Sequence, residues 1–193
     1  MTGQHGIFRC MKHLSWVHSN GKNFCTTVSP WVVPPEALEP FRVAPKETPR
    51  QLAKYLTQKE TKSAYNIPIR ATLQEVDSER YHVAQCNTNN VIFSFAQMIA
   101  HHTRGGCPLR TGDLIATGTL SGPTREEAGC LLEQTRGGTD PYDMVAENPR
   151  RGKLRRAFLE DGDTIEFTAQ AKARDGLGNV GFGACQGKVL HTS

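Results

Sequence analysis

Two stretches of the chain alternate apolar and polar residues at every second position. The first is NIPIRATLQEV at residues 66–76, and the second is DTIEFTAQAKA at residues 163–173. The apolar positions are Ile67, Ile69, Ala71 and Leu73 in the first stretch, and Ile165, Phe167, Ala169 and Ala171 in the second. Because successive side chains of a strand point to opposite faces, this pattern predicts two half-buried β-strands.

Further strands are predicted around these two. After a turn at DSER (77–80), YHVAQCN (81–87) is expected to return as a hairpin partner. DLIATGT (113–119) is predicted to be a strand, and so is VGFGACQGKVL (180–190), bent or bulged at its glycines. Strands outnumber helices and come as hairpins, which favours an α+β, mostly β domain over a doubly wound sheet.

The clearest helix is predicted in TNNVIFSFAQMIAHHTRGG, residues 88–106. An Asn or Thr is expected to cap its start, and Gly105-Gly106 to end it. The residues Ile92, Phe95, Ile99 and His102 fall on one face of this helix. Of the pair His101-His102, one side chain is expected to face the core and the other the solvent, in structural roles.

Length and composition set the class of protein. The chain has 193 residues, which suits one domain with a real core. A mean hydropathy of −0.48 and the lack of an apolar run of about 20 residues argue against a membrane-spanning protein. The net charge of +4 is too small to indicate nucleic-acid binding. The basic run RRGKLRR (150–156) is accordingly interpreted as a solvated loop.

The cysteines indicate a reducing, cytoplasmic location. The six cysteines are scattered without a CxxC spacing, as in a protein whose thiols stay reduced. The N-terminus lacks the apolar region of a secretory signal. Cys107 and Cys130 could act as nucleophiles, although a lone cysteine is more often a small buried apolar residue.

Candidate chemistry is weak when it is sought in local motifs alone. Residues 1–20 contain no carboxylate, and His5, Cys10, His13 and His18 match no common zinc spacing. This segment is therefore predicted to be a disordered or foreign tail. Lys22, followed by Thr26 and Thr27, is more suggestive, because an ammonium and hydroxyls suit an anionic oxygen or a hydrated divalent cation.

A glycine- and threonine-rich stretch raises a related question. LRTGDLIATGTLSGP (109–123) is either a sharply bent strand end or a backbone shaped to lie against a ligand. Composition alone does not decide between these two interpretations.

Several motifs resemble the fumarylacetoacetase family. GKNFCTTVSPWVVPPEALEPF (21–41) is similar to that family's GKSFGTTVSPWVVP, and LRTGDLIATGTLSGP followed by EEAGCLLE (126–133) resembles its glycine-threonine segment. FLEDGDTIEF (158–167) and GFGACQGKVL (181–190) match its C-terminal strands in type and order. The resemblance implies a partial C-terminal domain over residues 21–193, an incomplete mixed β-sheet roll, and a homodimer.

The resemblance also implies an activity and roles for single residues. The family hydrolyses a carbon–carbon bond of 4-fumarylacetoacetate, a β-diketo acid, to fumarate and acetoacetate in tyrosine and phenylalanine breakdown. It uses Mg²⁺ and Ca²⁺, with water activated by a His–Glu pair. Carried over by motif, Lys22 lies at the metal and the leaving-group oxygens, and Thr26 lies near the metal. Thr119 contacts substrate, and Glu133 orients the catalytic histidine. No nucleic acid or membrane partner is implied.

The chain departs from the family pattern before Gly21. The family's catalytic histidine, metal-binding aspartates and Glu-x-Glu pair lie upstream of the GKSF motif. Here residues 1–20 hold no carboxylate, and Cys25 replaces a glycine. Because a hard divalent cation needs several oxygen ligands, we expect this chain to be inactive alone.

Alternatives therefore remain open for both function and origin. The chain could be a non-catalytic fragment serving as a dimerisation or binding module, or another β-diketone hydrolase or a decarboxylase of the superfamily. Residues 1–20 could reflect a mis-set start, a retained intron or a truncated paralogue.

Overall fold

The computed structural model describes residues 26–47, 51–76, 78–173 and 178–191. Within this part of the chain there are eight strands: β1 (Arg42–Val43), β2 (Ala64–Tyr65), β3 (Pro68–Gln74), β4 (Arg80–Asn87), β5 (Tyr142–Ala146), β6 (Lys153–Arg156), β7 (Thr164–Ala171) and β8 (Val180–Lys188). The α-helices are α1 (Pro35–Leu38), α2 (Phe95–Arg104) and α3 (Leu131–Gln134), and short 3₁₀ turns link several elements. None of the described helices is long and apolar enough to cross a membrane.

Six of these strands form one sheet in the order β6-β5-β4-β3-β7-β8. Every pairing in it is antiparallel, and β3 lies at its centre between β4 and β7. The predicted hairpin of β3 with β4 is confirmed, with Leu73 opposite Tyr81. The α+β, mostly β fold class is likewise confirmed. The strands β1 and β2 form a separate small pair.

The alternating residues form the core, as their spacing predicted. Leu73 and Met144 are fully buried in a cluster on the inner face of the sheet, together with Val83 and Ile165. A second cluster, around Ile69, Ala169 and Ala171, packs against Phe41 from the segment that precedes β1. Both clusters are built from contacts between residues that are far apart in sequence.

The segment 26–33 lies beside β8, the last strand of the sheet. The Ser29 hydroxyl donates to the Phe182 carbonyl at 3.3 Å, and the Cys185 thiol lies 3.7 Å from the Thr27 carbonyl. The indole of Trp31 lies against Gly183. This segment therefore shields the edge of β8 from further pairing.

The segment DLIATGT and the basic run RRGKLRR both differ from what their sequences predicted. DLIATGT is not a strand: residues 113–119 are exposed and irregular. The φ values are left-handed at Gly118, +77°, and at Gly112 just before the segment, +98°. The Asp113 carboxylate instead accepts a hydrogen bond from the Arg110 amide at 2.7 Å, which closes a turn. The basic run is only partly a loop, because its second half pairs with β5 as the edge strand β6.

The predicted helix is shorter than its pattern. It begins after Ser94, not after an Asn or Thr, and Ser94 and Gln97 form a reciprocal capping box with bonds of 3.2 and 2.9 Å. The Asn and Thr residues upstream form a separate 3₁₀ turn, Thr88–Asn90. Phe95 and Ile99 are exposed, whereas the polar Gln97 is buried because its amide donates to the Leu56 carbonyl at 2.8 Å.

The expectation for the histidine pair is wrong. His101 and His102 are both exposed, and neither faces the core. His101 Nδ1 lies 3.0 Å from the Tyr55 hydroxyl, and the two rings stack. The pair sits in the last turn of α2, next to the 3₁₀ turn Lys54–Leu56, and both side chains are open to solvent.

Candidate active site

The glycine-threonine segment folds back onto the residues that lead into α3. The amide of Gly122 donates to the Glu127 carbonyl at 2.9 Å, and the Glu127 carboxylate accepts from the Thr124 hydroxyl at 3.0 Å. Downstream, the buried amide of Gln134 donates to the Val83 carbonyl of β4 at 2.8 Å. These bonds place the loop 117–122 and the short helix α3 side by side at one end of the inner face.

Gly129 marks the closest approach between the two segments. A β-carbon at this position would lie 2.1 Å from the Leu120 carbonyl oxygen and 2.7 Å from the methyl group of Thr119. Both distances are shorter than van der Waals contact. The glycine is therefore required by the packing of the loop, which is one physical reason for the small residues in this stretch.

Ser121 joins the two segments by hydrogen bonds. Its hydroxyl oxygen accepts from the Gly129 amide at 3.1 Å, and the hydroxyl donates to Glu133 Oε2 at 2.5 Å. Thr119 is two residues before Ser121 and touches the Gly129 position. The predicted site residues Thr119 and Glu133 are thus brought into one small region, although they come from different motifs.

A cavity of about 440 Å³ opens beside this region. Thr119 lines it together with Gly118, Gly129 and Cys130. The opposite wall consists of apolar side chains from the three central strands: Ile69, Ala71, Val83, Ile165, Phe167 and Ala169. Such a concave, mainly apolar space with a few polar groups at one side is the usual form of a small-molecule site.

One of the cysteines that line the cavity, Cys86, is a poor nucleophile. Its thiol donates to the Glu127 carbonyl at 3.3 Å. Burial raises the pKa of the Cys86 thiol, and the nearby carboxylates of Glu127 and Glu133 raise it further. Because the thiolate is the reactive form, this environment disfavours covalent catalysis by Cys86. Cys107, weighed above as a nucleophile, is exposed and does not line the cavity.

The predicted metal ligands are only partly within the described part of the chain. Lys22 lies outside it, and Thr26 is its first residue, exposed and apart from the cavity lining. Across residues 26–47, 51–76, 78–173 and 178–191, no three His, Cys, Asp or Glu side chains are grouped to hold a metal. A single neutral hydroxyl does not fit Mg²⁺ or Ca²⁺, so the described residues do not by themselves form the implied site.

Ser121, Gly129 and Cys86 were not identified from the sequence as site residues. Ser121 and Gly129 lie inside the motifs that pointed to the site, in LSGP and EEAGCLLE. Their importance depends on contacts between those motifs, and a one-dimensional pattern does not contain such contacts. Cys86 reaches the cavity because it lies near the end of β4.

Comparison with known proteins defines the class of this chain. The chain belongs to the fumarylacetoacetate hydrolase family: the model of the fumarylacetoacetate (FAA) hydrolase C-terminal domain matches residues 1–190. This range also includes residues 1–20, and the boundary expected after residue 20 stays a prediction.

Particular relatives carry the name fumarylacetoacetase. The Oryza sativa subsp. japonica protein is 46% identical over 172 residues, which cover 88% of this chain and 38% of the relative. The fumarylacetoacetase fahA of Aspergillus fumigatus is 42% identical over 173 residues, 89% of this chain and 38% of the relative. The Homo sapiens fumarylacetoacetase is 42% identical over 172 residues, 88% of this chain and 39% of the relative. The chain therefore spans less than two fifths of the length of these relatives.

Proposed function

We propose that this chain is the C-terminal part of a fumarylacetoacetase, which hydrolyses 4-fumarylacetoacetate to fumarate and acetoacetate. The observation that carries the proposal is the joining of Thr119 and Glu133 through Ser121 and Gly129, beside the cavity. Two residues whose roles were implied by separate motifs thus meet at one site. Relatives of that name, up to 46% identical to this chain, support the same reaction.

Within this proposal each side chain has a defined task. The Thr119 hydroxyl, at the cavity wall, binds a substrate oxygen. The Glu133 carboxylate accepts a hydrogen bond from one ring nitrogen of a histidine, which leaves the other nitrogen to take a proton from water. The carboxylate also stabilises the imidazolium that forms. Lys22 offsets negative charge at the leaving-group end of the substrate.

The histidine and the metal-binding carboxylates come, in this proposal, from a region that the described residues do not include. The chain taken alone would then bind Mg²⁺ or Ca²⁺ weakly and turn over no substrate. Calorimetric titration of the 193-residue chain with either ion tests the first statement. Loss of fumarylacetoacetate absorbance in the presence of both ions tests the second, and turnover by the chain alone would overturn it.

A chimera tests the function itself. Residues 21–190 would replace the matching part of the Oryza sativa relative, so that the remaining three fifths of the relative supply the other groups. We expect this chimera to hydrolyse fumarylacetoacetate, and expect Thr119→Val and Glu133→Gln to lower its kcat/KM by roughly 10²-fold or more. A chimera that folds and dimerises but turns over no substrate would contradict the proposed function.

A second candidate function is supported by the surface of α2. Phe95 and Ile99 of this helix are exposed, and Ile92 and Phe93 just before it are exposed as well. Phe95 and Ile99 are four residues apart and so share one face of the helix. Exposed apolar side chains grouped in this way are typical of a subunit interface. The chain would then act as a dimerisation module without catalysis. Sedimentation equilibrium would show a dimer that Phe95→Ser together with Ile99→Ser converts to a monomer.

A further inference from the structure

The structure assigns Ser121 as a positioning residue that fixes the Glu133 carboxylate for its task. This inference rests on the proposed function, in which Glu133 orients the catalytic histidine. Ser121 touches neither the histidine nor the substrate in this scheme. It acts through Glu133, to which its hydroxyl donates at 2.5 Å.

The direction of this hydrogen bond is fixed by the backbone. The Ser121 oxygen accepts from the Gly129 amide at 3.1 Å, so its lone pair on that side is occupied. The hydroxyl proton then points to Glu133 Oε2, because a carboxylate can only accept. The Ser121 hydroxyl therefore donates towards Glu133 and not in another direction. A hydrogen bond to a carboxylate is stronger than one between two neutral groups.

Glu133 needs such a partner because its own surroundings restrain it little. It is exposed and lies on α3, a helix of only four residues. A glutamate side chain has three rotatable bonds, and in water it samples several rotamers. The bond to Ser121 selects the rotamers that place Oε2 against the loop. Oε1 is then presented from a fixed position, which is the condition for orienting a histidine ring.

The partner is itself held in place by packing. Ser121 follows Leu120, whose carbonyl oxygen would lie 2.1 Å from a β-carbon on Gly129. It precedes Gly122, whose amide donates to the Glu127 carbonyl at 2.9 Å. The backbone that carries the Ser121 hydroxyl is therefore restrained on both sides of the residue. Such rigid support distinguishes a positioning group from a chance surface contact.

The test uses Ser121→Ala, Ser121→Thr and a matched control. Ser78→Ala removes the same hydroxyl from the β3–β4 turn, where it donates to the carbonyl of its neighbour Glu79 at 3.3 Å. In the 193-residue chain, NMR would follow the Gly129 amide proton and the Glu133 Cδ carbon. We expect Ser121→Ala to move both signals, Ser121→Thr to restore the Cδ signal, and Ser78→Ala to move neither. An unmoved Glu133 Cδ signal in Ser121→Ala would overturn the inference.

Kinetics of the chimera separates positioning from mere structural support. We expect Ser121→Ala to lower kcat by roughly tenfold with KM changed less than twofold, and Ser121→Thr to recover most of that loss. Ser121→Ala should add little in a Glu133→Gln background, because both changes act on one interaction. Full kcat in Ser121→Ala would overturn the inference. No turnover in an unmodified chimera that folds and dimerises would refute the proposed function instead, and the NMR signals alone would then decide whether Ser121 holds Glu133.

Discussion

Trp31 lies against Gly183 so closely that a β-carbon on residue 183 would be 2.2 Å from the indole Cδ1. Gly183 has a left-handed φ of +67° in the middle of β8. The glycine thus serves two purposes: it permits the backbone conformation, and it leaves room for the ring. Through this contact the segment 26–33 is fixed to the edge of the sheet.

Gly183→Ala is expected to destabilise the fold by about 2 kcal/mol, because alanine is strained at this φ and its methyl group displaces Trp31. Urea unfolding measures the loss, and tryptophan fluorescence in a Trp16→Phe background reports the displaced indole. Gly181→Ala, on the same strand, is the control, since its β-carbon meets nothing within 4 Å. Equal losses for the two variants would show that the Trp31 contact is unimportant.

Gly129→Ala is expected to open the candidate site. Its methyl group would collide with the Leu120 carbonyl oxygen, a backbone atom that moves only with the loop. We expect a loss of about 1–3 kcal/mol in unfolding free energy and a large shift of the Thr119 amide resonance. Gly105→Ala at the end of α2 has open space and should change neither. An unchanged Thr119 resonance in Gly129→Ala would contradict the packing described here.

His82 should make the protein sensitive to mild acid. Burial lowers the pKa of His82 from the ordinary histidine value of about 6.5, and the Arg70 guanidinium lowers it further, while Glu147 partly offsets both. The unfolded chain therefore takes up a proton at a higher pH than the folded one. Stability contributed by the neutral ring is complete above about pH 6.5 and falls as the pH drops towards the lowered value.

Two charge variants test this expectation in opposite directions. Arg70→Gln should raise the pKa of His82 and reduce the acid-dependent loss, whereas Glu147→Gln should lower that pKa and increase the loss. Urea unfolding midpoints measured between pH 5 and pH 8 give the slope of stability against pH for each variant. High salt should bring the two slopes together, since it screens both charges. Identical slopes at low salt would exclude His82 as the titrating group.

Arg125 is expected to be irreplaceable by lysine. Its guanidinium donates to the carbonyls of Gln134 and Asp140, both at 2.7 Å, and lies over the Tyr142 ring at 5.2 Å. An ammonium cannot make this forked set of bonds. Arg125→Lys should therefore cost about 2 kcal/mol in urea unfolding. Arg136→Lys, at an exposed ion pair 3.9 Å long, should cost less than about 0.5 kcal/mol. Comparable costs for both would contradict a structural role for the fork.

The fold could be predicted from the sequence where apolar and polar residues alternate along a strand, because this alternation decides which side chains are buried. The strands β3, β4, β7 and β8 were anticipated, because their apolar residues occupy one face or their glycines mark bends. Strand β6 carries three basic residues of four and was expected to be a loop, yet pairing with β5 decides its conformation. Conversely, residues 113–119 have strand-like composition but pair with none of the strands in the described part of the chain, and the glycines before and within them favour turns.

Only part of the candidate site could be predicted from the sequence. Thr119 and Glu133 were predicted from two separate motifs, and hydrogen bonds of Ser121 join these two segments in the structure. Ser121 and Gly129 connect them through contacts that depend on the exact path of the loop, which sequence spacing does not define. The metal and the dimer remain predictions, since they depend on Lys22 and on further groups that the described residues do not include.

The bond from the buried Gln134 amide to the Val83 carbonyl has a consequence for remote substitutions. Glu133 is next in sequence to Gln134, whose side chain is bonded to a strand inside the sheet. Met144 belongs to the same core cluster as Val83 and does not line the cavity. Trimming Met144 would shift β4 and, through Gln134, tilt the Glu133 carboxylate without a change to the cavity lining. Variants in the hydrophobic interior could therefore look like catalytic defects in an assay, while their cause is a displaced strand.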